Sequence, residues 1–171
     1  MNKNARLVVV MMLFCLSSAN AQEAKKPCVD PESRRLDFWV GEWDVKHADG
    51  KQAGSSSIQK ILDDCSLLEN WTGASGYSGK SLNVYHKGLK KWQQFWVDNQ
   101  GGSLYFEGEF HNGVLLYEGT SIDSNGARAN ERMTFTPIAA DHVRQLWEQS
   151  KDAGKTWSVL FDGHYHRKSK E

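Results

Sequence analysis

Long apolar runs are scarce in this 171-residue chain, and after residue 16 none is long enough to cross a membrane as a helix. Proline and cysteine occur only three times each, and charge of one sign does not dominate, because 21 basic residues face 21 acidic ones. A neutral chain lacks the basic surface that attracts nucleic acids or anionic membranes, so we expect neither partner.

Motifs of established chemistry are also missing. There is no H-E-x-x-H or C-x-x-C motif, and no serine occupies a nucleophile elbow. The carboxylates available for acid–base chemistry are Asp98, Glu107, Glu109 and Glu118. Glu107 and Glu109 share a strand face opposite Phe106, which is typical of a solvated edge rather than a catalytic dyad. We therefore predict no catalytic residue, metal ligand or cofactor, and keep a barrel enzyme of unknown reaction as an alternative.

The first 21 residues have the organisation of a secretory signal peptide. Lys3 and Arg6 precede an apolar run over residues 7–16, and small residues follow as far as Ala21. Cleavage there would leave 150 residues, of which 19 are basic and 21 acidic. We expect a periplasmic or secreted protein with an N-terminal arm over residues 22–33 and one domain over 34–168. An uncleaved anchor or a buried helix is the alternative.

Cleavage would also remove Cys15 and leave Cys28 and Cys65 as a pair. In an oxidising compartment such a pair predicts a disulfide, which would tie the N-terminal arm to the domain. The chain-entropy model gives it a stabilising effect on the order of 4 kcal/mol. A redox-active pair is the alternative, although the two cysteines lack C-x-x-C spacing.

Helical periodicity is nearly absent after residue 21, and short alternating runs predict an antiparallel all-β domain. Turn-forming stretches lie at 47–51, 73–79, 86–91, 98–102, 110–113, 123–126, 136–141 and 151–155. About ten strands lie between them, with no proline inside any of them. Gly108 and Gly119 lie within strands, where glycine marks a bend or bulge that helps a sheet close. The pattern predicts a ten-stranded antiparallel β-barrel.

The segment DFWVGEWDV (37–45) indicates how the barrel begins. Residues 33–40 can form a helical turn that plugs the barrel with Leu36, Phe38 and Trp39. Gly41 then permits a tight turn before Trp43 enters the first strand. Gly41-Glu42-Trp43 resembles the G-x-W opening of lipocalin-like (calycin) barrels, whose tryptophan stacks under an arginine from the last strand. The matching arginine here is Arg167.

Four segments carry a wider resemblance: FWVGEWDV, GKSLNVYHKGLKKWQQFWVDNQG, VRQLWEQSKDAGKTW and FDGHYHR. Together they resemble a large bacterial family of uncharacterised exported barrels, similar in fold to nitrobindin and the fatty-acid-binding proteins. The resemblance covers residues 34–167. It implies a lipocalin-like or nitrobindin-like fold with a ligand-binding interior, and it implies no activity.

Nitrobindins bind haem through a histidine, which makes His164 and His166 candidates. Strand alternation places Trp157, Val159, Phe161, Gly163 and Tyr165 on one face and Ser158, Asp162, His164 and His166 on the other. The aromatic face is the expected interior, so we expect both histidines to face solvent. A bulge that reversed the phase would permit haem ligation, and Asp162 could join the histidines around a metal. We predict neither.

The stretch SKDAGKTW (150–157) matches the S-x-D-x-G-x-T-W Asp-box of sialidase propellers. We expect Ser150 and Asp152 to bond turn amides, Gly154 to adopt a positive φ and Trp157 to pack beneath the hairpin. Propellers repeat this motif in every blade, whereas this chain contains it once. A hairpin staple is therefore predicted, with carbohydrate recognition as the alternative.

Three strands carry faces on which aromatic and polar side chains alternate. The residues predicted to bind ligand from these faces are Asn83, Tyr85, Trp92, Gln94, Trp96, Asp98, Gln145 and Trp147, joined by Arg132 if its parity holds. Barrels of more than about eight strands tend to leave space inside. We expect this space to hold an amphipathic or aromatic small molecule. A packed core in a protein-interaction module, with an apolar patch around 115–117 or Tyr105, is the alternative.

Overall fold

The computed structural model describes residues 27–169, and the predicted signal peptide lies outside them. Ten antiparallel strands form one closed barrel, in which each strand pairs with its neighbours in sequence and β1 pairs with β10. The strands are β1 (Gly41–His47), β2 (Gln52–Ile61), β3 (Ser66–Gly73), β4 (Ser78–His86), β5 (Lys91–Asp98), β6 (Ser103–His111), β7 (Val114–Ile122), β8 (Arg128–Ala139), β9 (His142–Ser150) and β10 (Ser158–Arg167). The predicted ten-stranded antiparallel barrel is confirmed.

Alternating burial explains why these segments form strands around one core. In β3, Leu67, Glu69 and Trp71 point inward between exposed or half-buried neighbours. In β8 the same alternation sends Met133 and Phe135 inward. Closure of the barrel pairs both edges of the sheet, so the core lies inside a continuous hydrogen-bonded wall.

Two 3-10 turns close one end of the barrel. They span Glu32–Arg34 and Asp37–Trp39 and precede β1. Leu36 and Trp39 are fully buried, and the Trp39 ring lies 4.7 Å from that of Phe135. Phe38 is half-buried and meets Phe110 edge-to-face. We call this the plugged end.

Gly41 joins the plug to β1 beneath an arginine. Its φ is +140°, and a Cβ there would collide with the guanidinium of Arg167. That guanidinium lies 4.1 Å above the Trp43 ring and donates to the carbonyl of Val40 at 2.8 Å. Trp43 in turn donates from Nε1 to the Trp39 carbonyl at 2.8 Å. A glycine between tryptophans thus leaves room for the arginine that fixes the plug.

The predicted disulfide between Cys28 and Cys65 is confirmed, with Cα atoms 5.1 Å apart. It joins the segment before the plug to the turn between β2 and β3, at the plugged end. Arg34 donates from Nη1 to the Asp64 carbonyl at 2.8 Å, beside the disulfide. Within residues 27–169, no helix has the length and apolarity needed to cross a membrane.

Irregularities in the strands differ from those expected. Register shifts occur between Val45 and Lys46, Pro137 and Ala139, and Val159 and Phe161. The expectation that no strand contains proline is wrong, because β8 includes Pro137 next to a register shift that tolerates it. Gly108 and Gly119 mark no bulge, since the register of β6 with β7 is continuous. They face Tyr117 and Phe106 across the ladder, and a Cβ at either glycine would collide with those rings.

Candidate ligand cavity

A cavity of about 320 Å³ opens at the end of the barrel opposite the plug. It lies among the last residues of β1, β3, β5 and β9 and the loop between β3 and β4. Its walls are mainly aromatic: Trp71, Tyr77, Trp96, Phe106, Trp147 and Phe161. Small-molecule pockets occupy about 300–1,000 Å³, so this cavity falls at the small end of that range. We call this end the open end.

Ring contacts hold the aromatic walls in place. Trp71 meets Phe161 edge-to-face at 5.8 Å between centroids, and it lies 6.3 Å from Tyr165. Across the mouth, Tyr77 lies 6.3 Å from Trp96. Edge-to-face and tilted pairs of this kind add about 0.5–1.5 kcal/mol each beyond area burial. Contacts between the rings therefore fix the shape of the cavity walls.

Glu69 on β3 lies at the inner end of the cavity and is only 4% exposed. Its Oε1 accepts a hydrogen bond from Ser56 and its Oε2 one from Ser81, both at 2.9 Å. The Tyr165 hydroxyl lies beside the same carboxyl. Burial raises the pKa of Glu69 to about 7, although the serine and tyrosine hydrogen bonds oppose that shift.

A chain of buried amides extends from Glu69 below the cavity. Gln94 Nε2 donates to Asn83 Oδ1 at 2.9 Å, and Asn83 Nδ2 donates to Ser81 Oγ at 2.9 Å. Ser81 then uses its own proton for Glu69. Tyr117 also donates to Asn83 Oδ1, at 3.3 Å. The donors of this chain therefore point toward the Glu69 carboxylate.

A second inward carboxylate, Glu131 on β8, is 1% exposed and supports the opposite wall. It accepts hydrogen bonds from Trp147 Nε1 at 2.8 Å and from Gln149 Nε2 at 2.7 Å. Ser121 donates to it at 2.5 Å. The bond from Trp147 fixes the indole that lines the cavity.

Gln145 and Tyr165 form the remaining polar part of the lining. The Tyr165 hydroxyl donates to Gln145 Oε1 at 2.5 Å, and Gln145 Nε2 lies 2.7 Å from Met133 Sδ. Burial and the neighbouring Glu69 raise the pKa of Tyr165 well above its usual value. Tyr165 is therefore neutral at physiological pH and acts as a hydrogen-bonding group.

Four of the predicted ligand-binding residues line the cavity: Gln94, Trp96, Gln145 and Trp147. Asp98 lies at its rim, where it accepts a hydrogen bond from the Tyr77 hydroxyl at 3.0 Å. Asn83, Tyr85 and Trp92 also point inward but lie deeper, toward the plugged end. Trp92 packs against Tyr85 and against Phe110, which contacts the plug. The prediction that these three share one cavity with Trp96 is corrected accordingly.

The expectation that Arg132 faces the interior is wrong. Its neighbours Glu131 and Met133 point inward, so Arg132 lies on the outer surface. There it binds Glu148 through two hydrogen bonds of 2.7 and 2.9 Å. Its guanidinium also lies 4.1 Å above the Trp157 ring. Trp157 is outward too, because the register shift between Val159 and Phe161 reverses the expected phase of the residues before it, while Phe161 and Tyr165 still face inward.

The sequence interpretation missed Glu69 and Trp71 and left Phe161 and Tyr165 out of the site. A usable signal existed in β3, where Leu67, Glu69 and Trp71 alternate with polar residues. Alternation would have placed the carboxylate on the apolar face. Glutamate is rarely fully buried, which is why composition alone does not indicate it.

The three histidines of β9 and β10, His142, His164 and His166, lie outside the barrel. His164 and His166 alternate with inward Gly163 and Tyr165. His142 Nε2 lies 3.0 Å from His164 Nδ1, and its ring stacks on that of His166 at 4.6 Å. In the part of the chain that the structure describes, no group of three or more His, Cys, Asp or Glu side chains is arranged to hold a metal.

The Asp-box stretch forms the turn between β9 and β10. Gly154 and Thr156 donate backbone N–H groups to Ser150 Oγ at 2.8 Å and Asp152 Oδ1 at 2.9 Å. Gly154 has a φ of +89°. Trp157 donates from Nε1 to the Gly154 carbonyl at 3.2 Å. These contacts are local to the hairpin.

The proposed apolar patch is only partly exposed. Leu115 and Tyr117 are fully buried, so residues 115–117 do not form such a patch. Tyr105 is exposed and lies in register with Phe95, which pairs with exposed Leu82 on β4. On the same surface Glu107 accepts hydrogen bonds from Tyr105 and from Gln93. Glu107 therefore belongs to the outer wall of the barrel.

No protein-family model matches this chain, and no curated protein matches it at a significant level. The architecture is nevertheless specific: ten antiparallel strands close into a barrel with one plugged end. That arrangement is consistent with a lipocalin-like fold.

Proposed function

We propose that this protein is an exported β-barrel that binds a small aromatic or amphipathic molecule in its open end. The observation that carries this proposal is the cavity of about 320 Å³, with aromatic walls and a few inward polar groups. Binding sites for small molecules combine these two features. A packed core would instead fill the open end as completely as the plugged one.

Preorganisation supports a binding role. Trp147 is fixed by Glu131, and Tyr165 by Gln145. A ligand that enters would therefore order few side chains, and each ordered side chain costs about 0.5–1.5 kcal/mol of affinity. The hydrogen bonds thus serve the cavity even though several of them lie behind its surface.

Two observations support export. The Cys28–Cys65 disulfide is compatible with an oxidising compartment. The sequence of residues 1–21 has the organisation of a signal peptide. We therefore place the protein in the periplasm or outside the cell.

Native mass spectrometry of protein purified from its own compartment tests the proposal. We expect a retained small molecule whose readdition to stripped protein quenches tryptophan fluorescence. Trp96→Phe should reduce both the retention and the quenching, because Trp96 lines the cavity. Trp157→Phe is the matched control, since Trp157 lies on the outer surface under Arg132.

The proposal fails if nothing is retained and a panel of aromatic and amphipathic metabolites leaves the emission unchanged. It also fails if Trp157→Phe weakens binding as much as Trp96→Phe does. Either outcome would favour the alternative of a protein-interaction module, whose contact surface would be the exposed patch around Tyr105.

A barrel enzyme is the second candidate, and Glu69 is the observation that favours it. A carboxyl whose pKa is about 7 can both donate and accept a proton near neutral pH, and this one borders a cavity. If the retained molecule is a substrate, wild-type protein will convert it to a product, whereas Glu69→Gln will bind it without converting it. Mass spectrometry of the incubated ligand separates this candidate from simple binding.

A further inference from the structure

The charge of the cavity lining is one-sided. Glu69 is a nearly fully buried carboxyl that reaches the cavity, and none of the described residues lining it is a lysine or arginine. His47 stands at the exposed mouth. A buried carboxylate normally pairs with a cation, because the unpaired charge is costly to remove from water. Here residues 27–169 supply hydrogen bonds to Glu69 but no lysine or arginine to the cavity lining.

The hydrogen-bond network is oriented for an ionised Glu69. Ser81 accepts from Asn83, so its only proton is directed at Glu69 Oε2. Ser56 donates to the other oxygen. An ionised carboxylate offers about four acceptor positions. The two serines occupy two of them and the Tyr165 hydroxyl lies beside the same carboxyl, so at least one position stays free. A hydrogen-bond donor on a ligand is the natural occupant of that position.

The walls suit the same kind of ligand. Trp71, Phe161 and Trp147 border the cavity whose inner end is Glu69. Aromatic faces attract cations by about 0.5–2 kcal/mol, more when water is excluded. They also bury the apolar part of an amphipathic molecule. The carboxylate and the aromatic rings therefore favour the same ligand, one with a cationic group and an apolar body.

We propose that the cavity binds a protonated amine carried on an apolar or aromatic body, with Glu69 as its counter-ion. This inference rests on the proposed binding function and names its ligand class. The ammonium group donates to Glu69, and the apolar body lies among the tryptophans and Phe161. Anionic ligands are disfavoured because Glu69 would repel them.

Other ionisable groups near Glu69 must be separated from its effect. Tyr165 on β10 and Tyr77 at the mouth have raised pKa values and are neutral. Ser56 on β2 and Ser81 on β4 do not ionise. Glu131 on β8 is held by Trp147, Gln149 and Ser121. His47 on β1 is the remaining group that could add charge, and a positive charge there would also repel an amine.

Three ligands with the same ring test the proposal: phenethylamine, 2-phenylethanol and phenylacetate, which are cationic, neutral and anionic. Binding to stripped full-length protein is followed by tryptophan fluorescence. We expect the amine to bind wild type about tenfold or more tightly than the alcohol, the effect of a hydrogen bond to a charged group. Glu69→Gln should remove this preference and leave alcohol binding within about twofold.

The pH dependence gives an independent readout. Amine affinity should be higher at about pH 8 than at about pH 6, because Glu69 ionises between them and the amine stays protonated. The same rise should persist in His47→Asn and vanish in Glu69→Gln. Alcohol binding to Glu69→Gln shows that the variant is folded; if it is not folded, the profile of His47→Asn decides.

The outcomes separate the two proposals. If the alcohol or the acid binds wild type as tightly as the amine does, or if the preference survives Glu69→Gln, the counter-ion role is overturned and the binding function stands. A pH rise that disappears in His47→Asn also overturns it. If none of the three ligands binds wild type, the amine proposal is overturned, and native mass spectrometry of the purified protein then decides the binding function.

Discussion

The two ends of the barrel interior use the same residue types for different purposes. At the plugged end, Trp43 and Arg167 bond to backbone carbonyls of the segment that closes the barrel. At the open end, Trp147 and Tyr165 bond to side chains of the wall behind them. Bonds to the plug hold chain segments together, whereas bonds to the wall fix rings that line the cavity. The first arrangement leaves a filled core and the second leaves a cavity.

This contrast teaches that stability and binding are separated along the barrel axis. Leu36, Trp39 and Trp43 are fully buried. Trp96, Trp147 and Phe161 are only half-buried because they face the cavity. We therefore expect substitutions at the plugged end to lower the free energy of unfolding and those at the open end to lower ligand affinity.

The largest effect is expected at the plug. Trp39→Ala should lower the free energy of unfolding by about 3–5 kcal/mol, since it empties a fully buried site between Phe135 and Tyr165. Trp96→Ala should cost only about 1–2 kcal/mol, because it enlarges an existing cavity. Urea denaturation measures both variants. Equal losses would contradict the separation of the two ends.

The second-largest effect on stability is expected from the disulfide, which also lies at the plugged end. Cys28→Ser with Cys65→Ser should lower the free energy of unfolding by about 2–4 kcal/mol, mainly by releasing the unfolded chain. Ligand affinity should not change, because the bridge lies at the end away from the cavity. Urea denaturation and fluorescence titration of the double variant test this. A loss of affinity in the folded variant would show that the two ends are coupled.

At the open end, the binding residue Glu69 should lower the free energy of unfolding when it is ionised, whereas the residues of the plugged end raise it. Its pKa is raised from 4.5 to about 7, so between these values the native state holds a proton that the unfolded state releases. Stability therefore falls as pH rises through this window, by up to about 3 kcal/mol from this group. Glu69→Gln should lack that decrease. Urea midpoints at about pH 5 and about pH 8 measure this decrease in stability. The histidines contribute equally to the wild type and to Glu69→Gln, so the difference between the two proteins removes their contribution.

If the wild type and Glu69→Gln lose the same stability over this range, Glu69 is already ionised at low pH. The desolvation argument for the open end would then be wrong. A saturating amine should reduce the decrease in the wild type, because it stabilises the charged carboxylate.

The side chains that face inward could be predicted from strand alternation in the sequence, whereas their position along the barrel axis could not. Alternation in β5 correctly aligned Trp92, Gln94 and Trp96 on the inner face. It could not show that Trp92 contacts Phe110 near the plug while Trp96 borders the cavity. Depth depends on strand tilt and stagger, which barrel closure sets over all ten strands. The count and direction of the strands followed from local turns and were therefore accessible.

Two inward or outward assignments were wrong. A local irregularity reversed the alternation at the start of β10, and in β8 the inward residue is a glutamate. The register shift between Val159 and Phe161 turned Trp157 outward, and the sequence carries no clear sign of that bulge. In β8 the apolar residues Met133 and Phe135 required Glu131 to point inward. Alternation from Met133 and Phe135 would have placed Arg132 on the outer face.

Arg132 offers the smallest effect and the sharpest test of that correction. Arg132→Ala removes a partly exposed ion pair with Glu148 and a cation–π contact with Trp157, which together contribute about 1 kcal/mol. Affinity for 2-phenylethanol and phenethylamine should stay within about twofold of wild type, because the guanidinium lies outside the barrel wall. Arg144→Ala is a matched control, since Arg144 pairs with Asp162 on the same outer surface. A selective loss of affinity in Arg132→Ala would contradict the outward placement of Arg132, because a side chain outside the barrel wall cannot touch a ligand in the cavity.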